Sequence, residues 1–369
     1  MSVTTGRAMV SFGVGYEWEL REYPVPDPEP GAIVTRITMA SVCGTDVHLY
    51  QGDFGGPGAT KPKPQISGHE FVGRVHKLGA GVTTDNAGRP LAEGDRVVWS
   101  PSIVCGRCPA CLRGVLPCPN RKSHGGATSD EWPHFKGGFA DYYYLSPGQW
   151  IYKVPDNVPD SAAVYVDCAA ATVAYALSKV CFSMGSWGVI QGAGGLGLCA
   201  TPMMKDLGAR VVVIDKAAGR LDLARSFGAD HAVDYDEFPT PEARIARVKE
   251  LTGGRGAEVV MECVAAAPEV VPEGLQMLDY GGAYLTVGLV GPYKATLSMM
   301  PFIDRGLRLM GSAQFDVATM PAVLDLMART IDRYPWAGMI SHTFPLEQAE
   351  TAVQEAAAGR VLRAAVVME

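Results

Sequence analysis

The sequence predicts an α/β protein in which a β-rich domain, formed by both ends of the chain, carries an inserted domain with a doubly wound parallel sheet. Three observations support this prediction. The first part of the chain has short β-type runs, such as residues 32–39 and 71–78, separated by Gly and Pro. Residues 169–311 instead alternate apolar strand-like runs with helix-compatible stretches. A chain of 369 residues, 47% of them hydrophobic, is also long enough to form two hydrophobic cores.

The domain boundaries are placed where this pattern changes. We expect the β-rich domain to comprise residues 1–168 and 312–369, and the parallel-sheet domain to comprise residues 169–311. The end of the chain, residues 362–368, predicts a closing strand that returns to the first domain. The expected parallel strands of the inserted domain are residues 187–191, 210–215, 259–263 and 283–288.

The composition excludes several classes of function. A formal net charge of −7 provides no basic surface to attract nucleic acid or an anionic membrane. No apolar run reaches the roughly 18 residues that span a bilayer. Residues 1–10 also lack the basic and then apolar pattern of a secretory signal. We therefore expect a cytoplasmic protein that acts on a small molecule and has no nucleic-acid or membrane partner.

The turn at residues 192–197 has the Gly-x-Gly-x-x-Gly spacing of a dinucleotide-binding motif, between an apolar run and a helix-compatible stretch. Its first glycine would allow a tight turn, its second would let the backbone approach a pyrophosphate, and its third would let the helix pack closely. The N-terminus of that helix would face the phosphates. An ordinary glycine turn can show the same spacing. The residues expected to bind the cofactor here are Gly192, Gly194, Gly195, Leu196 and Gly197.

The end of the next strand favours a dinucleotide site and indicates which cofactor it takes. Asp215 ends the run at residues 210–215, eighteen residues after Gly197. A carboxylate at this position can accept hydrogen bonds from the ribose hydroxyls, which predicts NAD. Lys216 and Arg220 leave NADP as an alternative, because cations there would meet a 2′-phosphate. We prefer NAD because Asp215 would repel that phosphate.

A cluster of four cysteines predicts a metal site without a free coordination position. The segment contains Gly and Pro and little hydrophobic patterning, and four thiolates suit tetrahedral zinc with a structural role. An iron–sulfur cluster and two disulfides are the alternatives. The cluster consists of Cys105, Cys108, Cys111 and Cys118, and the isolated cysteines expected in the core are Cys181, Cys199 and Cys263.

A second set of candidate metal ligands is dispersed along the chain. Cys43 lies in residues 42–48, and His69 and Glu70 lie in residues 68–73. A lone cysteine is usually a core residue and a lone histidine is usually structural. The spacing alone therefore does not show that Cys43 meets His69.

With these segments, the sequence resembles the zinc-containing medium-chain dehydrogenase/reductase family, which includes alcohol, sorbitol and threonine dehydrogenases. The resemblance covers nearly the whole chain and implies a GroES-like catalytic domain with an inserted Rossmann domain. It also implies two zinc ions per chain, one catalytic and one structural, together with NAD and assembly into a homodimer or homotetramer. The matching segments are residues 42–48, 68–73, 105–118, 137–140, 192–197 and 359–363.

The resemblance also assigns the catalytic zinc ligands. It makes Cys43 and His69 ligands, with Glu70 as a close carboxylate that binds zinc in some states. We expect Cys168 as the remaining ligand and keep its neighbour Asp167 as the alternative. In the cysteine cluster, six residues separate the last two cysteines, one fewer than in the commonest pattern of the family.

Further residues obtain roles from the same resemblance. Asp46 matches a carboxylate that orients His69 through its other ring nitrogen. Thr45 and His48 match a relay that carries the proton from the substrate to solvent. A hydroxyl that bonds within the turn and a surface histidine are the alternatives, and the match at both positions favours the relay. Arg363 matches an arginine that binds a cofactor phosphate.

The substrate is expected to be an apolar secondary alcohol, with cyclic alcohols included, that is converted to a ketone. This expectation depends on Phe54, Trp99 and Trp132 bordering the pocket, although ordinary core positions would explain them equally well. A polyol or L-threonine is the alternative substrate. A zinc-independent quinone or enone reductase and a non-enzymatic zinc-binding protein of the lens-crystallin type are the alternatives from other classes.

Overall fold

The chain folds into two compact units, and the segments of the second unit are inserted between segments of the first in the sequence. A computed structural model of the chain describes residues 4–53, 63–123, 127–265, 267–288 and 293–369. The first unit comprises Met1–Cys168, Asp316–Ile331 and Trp336–Glu369, and the second comprises Ala169–Phe315 and Asp332–Pro335.

Residues 312–315 and 332–335, which we expected in the β-rich domain, group with the second unit. The backbone N–H of Ser312 donates to the end of a neighbouring strand at 3.1 Å, so the chain continues along the parallel sheet beyond the expected boundary. The buried ring of Tyr334 would lie 3.1 Å from a Cβ added to Gly228. Contacts within the second unit therefore hold both short segments.

The first unit is rich in β-strands, as the sequence predicted. Up to residue 168 its strands are β1 (Thr5–Ser11), β2 (Glu19–Pro24), β3 (Ile33–Ser41), β4 (Gln65–Ile66), β5 (Glu70–Leu78), β6 (Arg96–Trp99), β7 (Ser102–Ile103), β8 (Lys122–Ser123), β9 (Tyr142–Leu145) and β10 (Ile151–Lys153). Its helices in the same part are α1 (Gly44–Gln51), α2 (Pro109–Leu112) and α3 (Asp160–Ala163).

The second unit alternates strands and helices. Its strands are β11 (Trp187–Gln191), β12 (Arg210–Asp215), β13 (His231–Asp234), β14 (Ala257–Glu262), β15 (Leu278–Thr286) and β16 (Arg308–Gly311). Its helices are α4 (Ala171–Leu177), α5 (Gly195–Asp206), α6 (Ala218–Ser226), α7 (Pro241–Leu251), α8 (Val270–Met277) and α9 (Met300–Asp304).

The remaining elements complete the first unit. They are α10 (Thr319–Thr330), β17 (His342–Pro345), α11 (Ala349–Ala357) and β18 (Ala364–Val367). β18 pairs antiparallel with β3 and is therefore the expected closing strand. The larger sheet of this unit has the order β10-β6-β5-β3-β18-β17, and β9 also pairs with β3. A smaller sheet has the order β2-β1-β4.

The sheet of the second unit is parallel and has the order β13-β12-β11-β14-β15-β16. Every residue of β11 is buried because helices cover both faces of a parallel sheet. The order reverses at β11, since the chain first extends to one side of this strand and then continues with β14 on its other side. The predicted fold class is thus confirmed.

The isolated cysteines are buried as predicted, with one exception. Cys199 and Cys263 are buried, whereas Cys181 is exposed in the loop between α4 and β11, so the expectation of a core position is wrong for Cys181. Across the described parts of the chain, no helix has both the length and the apolar character that crossing a membrane requires.

Candidate active site

Cys43, His69 and Cys168 come together in the first unit although they are far apart in the sequence. The Sγ atoms of Cys43 and Cys168 lie 4.0 Å apart, and the Sγ of Cys168 lies 3.5 Å from the Nε2 of His69. All three donor atoms lie within 4.8 Å of one another. Cys43 caps the start of α1, His69 directly precedes β5, and Cys168 lies in a π-helical turn at Val166–Ala170.

These distances fit a tetrahedral zinc ion. Zinc binds thiolate sulfur at about 2.3 Å and imidazole nitrogen at about 2.0–2.1 Å, so neighbouring donors around it lie roughly 3.6–3.8 Å apart. The distances of 4.0 and 3.5 Å in this cluster are close to those values. Two thiolates and one imidazole also leave the fourth position open, which is the arrangement of catalytic rather than structural zinc sites.

The surroundings of Cys43 favour its metal-binding form. The hydrogen bond with Cys168 lowers the pKa of the Cys43 thiol well below its ordinary value, and the same contact raises the pKa of Cys168. Burial lowers the pKa of His69, but the neighbouring Asp46 carboxylate and Cys43 together outweigh this effect, so the pKa rises well above its ordinary value. A thiolate is the form of cysteine that binds metal.

The carboxylate of Asp46 holds two of the three donors in place. Its Oδ1 lies 3.1 Å from the Nδ1 of His69, and its Oδ2 accepts the backbone N–H of Cys43 at 2.9 Å. Asp46 is itself 4% exposed. Because Nδ1 faces Asp46, the Nε2 of His69 is directed to the cluster, as the sequence analysis expected.

Glu70 and Arg363 form a buried ion pair beside this cluster. The Glu70 carboxylate accepts hydrogen bonds from the Ser41 hydroxyl and from the Nη1 of Arg363, which also contacts Ser41 Oγ at 3.2 Å. Burial raises the pKa of Glu70 to about 7, against the opposing effect of Arg363. Glu70 is not among the donors grouped within 4.8 Å. The binding of zinc by Glu70 and of a cofactor phosphate by Arg363 stay predictions.

Asp167 lies next to Cys168 but faces another part of the unit. Its Oδ2 accepts the backbone N–H of Phe71 at 3.1 Å, and its side chain is completely buried. Burial raises the pKa of Asp167 well above its ordinary value. Cys168, which we preferred, is therefore the residue of this pair that joins the donor cluster.

The two relay candidates lie on α1. Thr45 is half-buried in the first turn, and His48 is buried near the other end of the helix. The Nδ1 of His48 lies 2.7 Å from the Oδ2 of Asp53, and the backbone N–H of Asp53 donates to the His48 carbonyl at 3.0 Å. Asp53 was not among the residues predicted from the sequence. Gly52, which ends the helix with φ of 81°, was the available signal, because it turns the chain back toward His48.

The four-cysteine cluster also fits tetrahedral zinc. Neighbouring sulfur atoms lie 3.5–3.9 Å apart, much farther than the roughly 2.05 Å of a disulfide bond. Disulfides are therefore excluded in this structure, and the shortened loop still brings the last cysteine to the others. The backbone N–H of Arg107 is the main reason that the pKa of Cys105 falls to about 6. The cluster consists of Cys105, Cys108, Cys111 and Cys118.

The glycine turn connects β11 to α5 in the second unit. Gly192 has φ of 99°, which favours glycine. A Cβ on Gly197 would lie 1.9 Å from the Gly192 carbonyl oxygen, so the helix packs closely against the turn. A Cβ on Gly194 would meet nothing within 4 Å, which leaves space for a ligand. Gly195 and Leu196 form the half-buried first turn of α5. This arrangement fits a dinucleotide pyrophosphate.

Asp215 lies beside this turn. Its Oδ2 accepts the backbone N–H of Ala193 at 2.6 Å, and its Oδ1 accepts the backbone N–H of Ala217 at 2.9 Å. Lys216 is exposed directly after it, and Arg220 is half-buried on α6. The carboxylate therefore lies at the end of β12, in direct contact with the glycine turn.

Of the three aromatic residues expected around the substrate, the structure describes Trp99 and Trp132. Trp99 is completely buried and stacks on Phe71 with ring centroids 4.6 Å apart, because the inner face of β6 packs into the core. That expectation is therefore wrong for Trp99. Trp132 lies on the surface, 57% exposed, and its ring makes an edge-type contact with that of Tyr144 at 5.2 Å between centroids. Phe54 lies outside the described residues.

Comparisons with known proteins show which families the two parts of the chain resemble. Residues 29–156 match the alcohol dehydrogenase GroES-like domain family, and residues 195–329 match the zinc-binding dehydrogenase family. The chain is 35% identical to a 5-exo-hydroxycamphor dehydrogenase of Pseudomonas putida, over 94% of each chain. It is 34% identical to an L-threonine 3-dehydrogenase of Pyrococcus horikoshii, over 77% of this chain and 75% of that protein. An alcohol dehydrogenase structure from Thermotoga maritima superimposes with a TM-score of 0.91 at 29% identity, covering 99% of this chain and 100% of that one.

Proposed function

The chain belongs to the zinc-dependent medium-chain alcohol dehydrogenase family, and we propose that it oxidises an apolar, cyclic secondary alcohol to a ketone with NAD, or catalyses the reverse reaction. The observation that carries this proposal is the meeting of Cys43, His69 and Cys168 within 4.8 Å. Quinone and enone reductases of the zinc-independent type have no need for such a cluster.

The residues of the first unit have separate tasks in this reaction. Cys43, His69 and Cys168 would hold a catalytic zinc, which supplies the Lewis acidity that makes a coordinated hydroxyl a stronger acid. Asp46 fixes the ring of His69 and the backbone of Cys43, so the donors stay oriented while substrates exchange.

The proton of the substrate hydroxyl would leave through side chains of α1. The Thr45 hydroxyl would accept this proton while giving up its own, and His48 would exchange a proton with solvent, as histidine side chains commonly do. Asp53 holds the Nδ1 side of His48 at 2.7 Å. The Nε2 side of the ring is then the one that takes part in the exchange.

The cofactor is proposed to be NAD, which accepts the hydride. Asp215 would accept hydrogen bonds from the ribose hydroxyls and repel a 2′-phosphate, since its carboxylate lies next to the glycine turn. Lys216 and Arg220 would lie near the same ribose, and Arg363 would bind a phosphate of the cofactor.

An apolar cyclic substrate is supported by the likeness to the 5-exo-hydroxycamphor dehydrogenase, which extends over 94% of the chain. The test is to compare kcat/KM for 5-exo-hydroxycamphor, cyclohexanol, sorbitol and L-threonine, measured as NADH formation. We expect the two cyclic alcohols to exceed sorbitol and threonine by at least about tenfold, because polyol hydroxyls buried without partners cost roughly 1–3 kcal/mol each. A preference for sorbitol or threonine would instead favour a polyol or threonine dehydrogenase.

We also propose that the protein is a homodimer or homotetramer. β16 is an edge strand of the parallel sheet in the part of the chain that is described, and Leu309 on it is 41% exposed. Tyr280 on β15 and Ile303 on α9 are more than 70% exposed in the same unit. An open strand edge bordered by exposed apolar side chains is suited to pairing with a second copy. Light scattering of the purified protein tests this, and a monomer would contradict it.

A further inference from the structure

The carboxylate of Glu262 connects the ends of two neighbouring strands in the second unit. Glu262 is the last residue of β14 and is completely buried. Its Oε1 accepts the backbone N–H of Val264 at 2.5 Å. Its Oε2 accepts the hydroxyl of Thr286 at 3.1 Å and the backbone N–H of Gly288 at 3.1 Å, at the end of β15. One side chain thus fixes the path of the backbone after both strands.

These two strand ends lie where the second half of a dinucleotide would be. Ligands of open α/β sheets bind outside the carboxyl ends of the strands, where the strand order reverses. Here the order reverses between β11 and β14. Asp215 ends β12 and marks the adenosine side, and the glycine turn after β11 marks the pyrophosphate. The nicotinamide half must then extend toward the ends of β14 and β15.

The backbone segments at this place have little room to shift. A Cβ on Gly192 would lie 2.8 Å from a methyl carbon of Val264. A Cβ on Gly288 would lie 2.6 Å from the Oε1 of Glu262 and 2.7 Å from the backbone nitrogen of Val264. The glycine turn, the end of β14 and the end of β15 are therefore in direct contact. A change in the Glu262 side chain would be transmitted to both strand ends.

We propose that Glu262 is a positioning residue for the nicotinamide half of the cofactor. Its carboxylate sets the position of the backbone at residues 263–264 and 286–288, against which the nicotinamide ring binds. This inference rests on the proposed use of a nicotinamide dinucleotide. If Glu262 only stabilised the fold, its substitution would weaken the binding of both halves of the cofactor equally. If it positions the backbone, its substitution weakens the binding of the nicotinamide half selectively.

The test compares the binding of NADH with that of ADP-ribose, which lacks the nicotinamide ring, by titration calorimetry of the zinc-loaded protein. Glu262→Gln keeps the size of the side chain but turns one acceptor into a donor that faces backbone N–H groups. We expect it to weaken NADH binding by about tenfold or more and ADP-ribose binding by less than about twofold. Thr286→Val, which removes a single hydroxyl donor, should show the same selectivity with a smaller effect.

Glu258→Gln is the matched control. Glu258 lies on the same strand, and its carboxylate accepts the backbone N–H of Trp187 at 2.7 Å, at the opposite end of β11 and β14. This control should leave the binding of both ligands unchanged. Equal weakening of both ligands by Glu262→Gln and Thr286→Val, or no change in either, would overturn the proposal. If the wild-type protein bound neither ligand, the proposed use of a nicotinamide dinucleotide would itself be wrong. If the wild-type protein binds both ligands and the variants show no selective loss, only the role of Glu262 is wrong.

Discussion

The Nδ1 atom of His69 lies 3.1 Å from the Oδ1 of Asp46, while the other oxygen of this carboxylate accepts the backbone N–H of Cys43 at 2.9 Å. One buried side chain thus orients two of the three proposed zinc ligands. Such a carboxylate both fixes the tautomer of the imidazole and increases its basicity.

Asp46→Asn should therefore weaken binding of the catalytic zinc by about 10- to 100-fold, the usual effect of losing a partner of a metal-bound histidine. Zinc retained during competition with a chelator measures this. Asp53→Asn is a suitable control, because the hydrogen bond of its carboxylate is with His48 of α1 and not with a proposed zinc ligand. Equal zinc retention by Asp46→Asn and wild type would contradict the assigned role.

The four-cysteine cluster should contribute to stability rather than to catalysis. The Sγ of Cys108 lies 3.5 and 3.9 Å from the Sγ atoms of two neighbouring cysteines, and Cys108→Ala leaves only three thiols for the structural zinc. We expect the loss of one zinc per chain and a decrease in melting temperature of about 5 °C or more. Cys43→Ala should lose the other zinc and the activity but remain folded. Elemental analysis that finds iron and inorganic sulfide would contradict zinc in this cluster.

Asp215 should make the enzyme prefer NAD. We expect kcat/KM with NAD to exceed that with NADP by at least about tenfold, which corresponds to about 1.4 kcal/mol of discrimination. Asp215→Asn removes the charge that repels a 2′-phosphate and also turns one acceptor of a backbone N–H into a donor, so the preference should decrease. Kinetics with both cofactors on one alcohol measure it. Equal efficiency in the wild type would mean that Lys216 or Arg220 determines the choice.

The fold, the glycine turn and the four-cysteine cluster could be predicted from the sequence because each depends on a local pattern. The turn at residues 192–197 requires glycine for steric reasons, so its spacing carries information without any knowledge of the rest of the chain. The four cysteines from Cys105 to Cys118 likewise approach each other over a short segment.

Contacts between distant segments could not be predicted in this way. Cys43 and Cys168 were assigned to one site by resemblance, since nothing local brings them together. The pair of Arg363 with Glu70 joins residues 293 positions apart, and no pattern in either segment indicates it. The position of Trp99 was predicted wrongly for a related reason. A tryptophan on a strand can face either a pocket or the core, and the packing of Phe71 against Trp99 shows that it faces the core.

We expect alcohol oxidation to require a zinc ion held by Cys43, His69 and Cys168, and removal of the metal is the test. NADH formation from a cyclic secondary alcohol should disappear when the protein is dialysed against a chelator, and should return when about two equivalents of zinc per chain are added. Full activity in protein shown by elemental analysis to be free of zinc would contradict the claim.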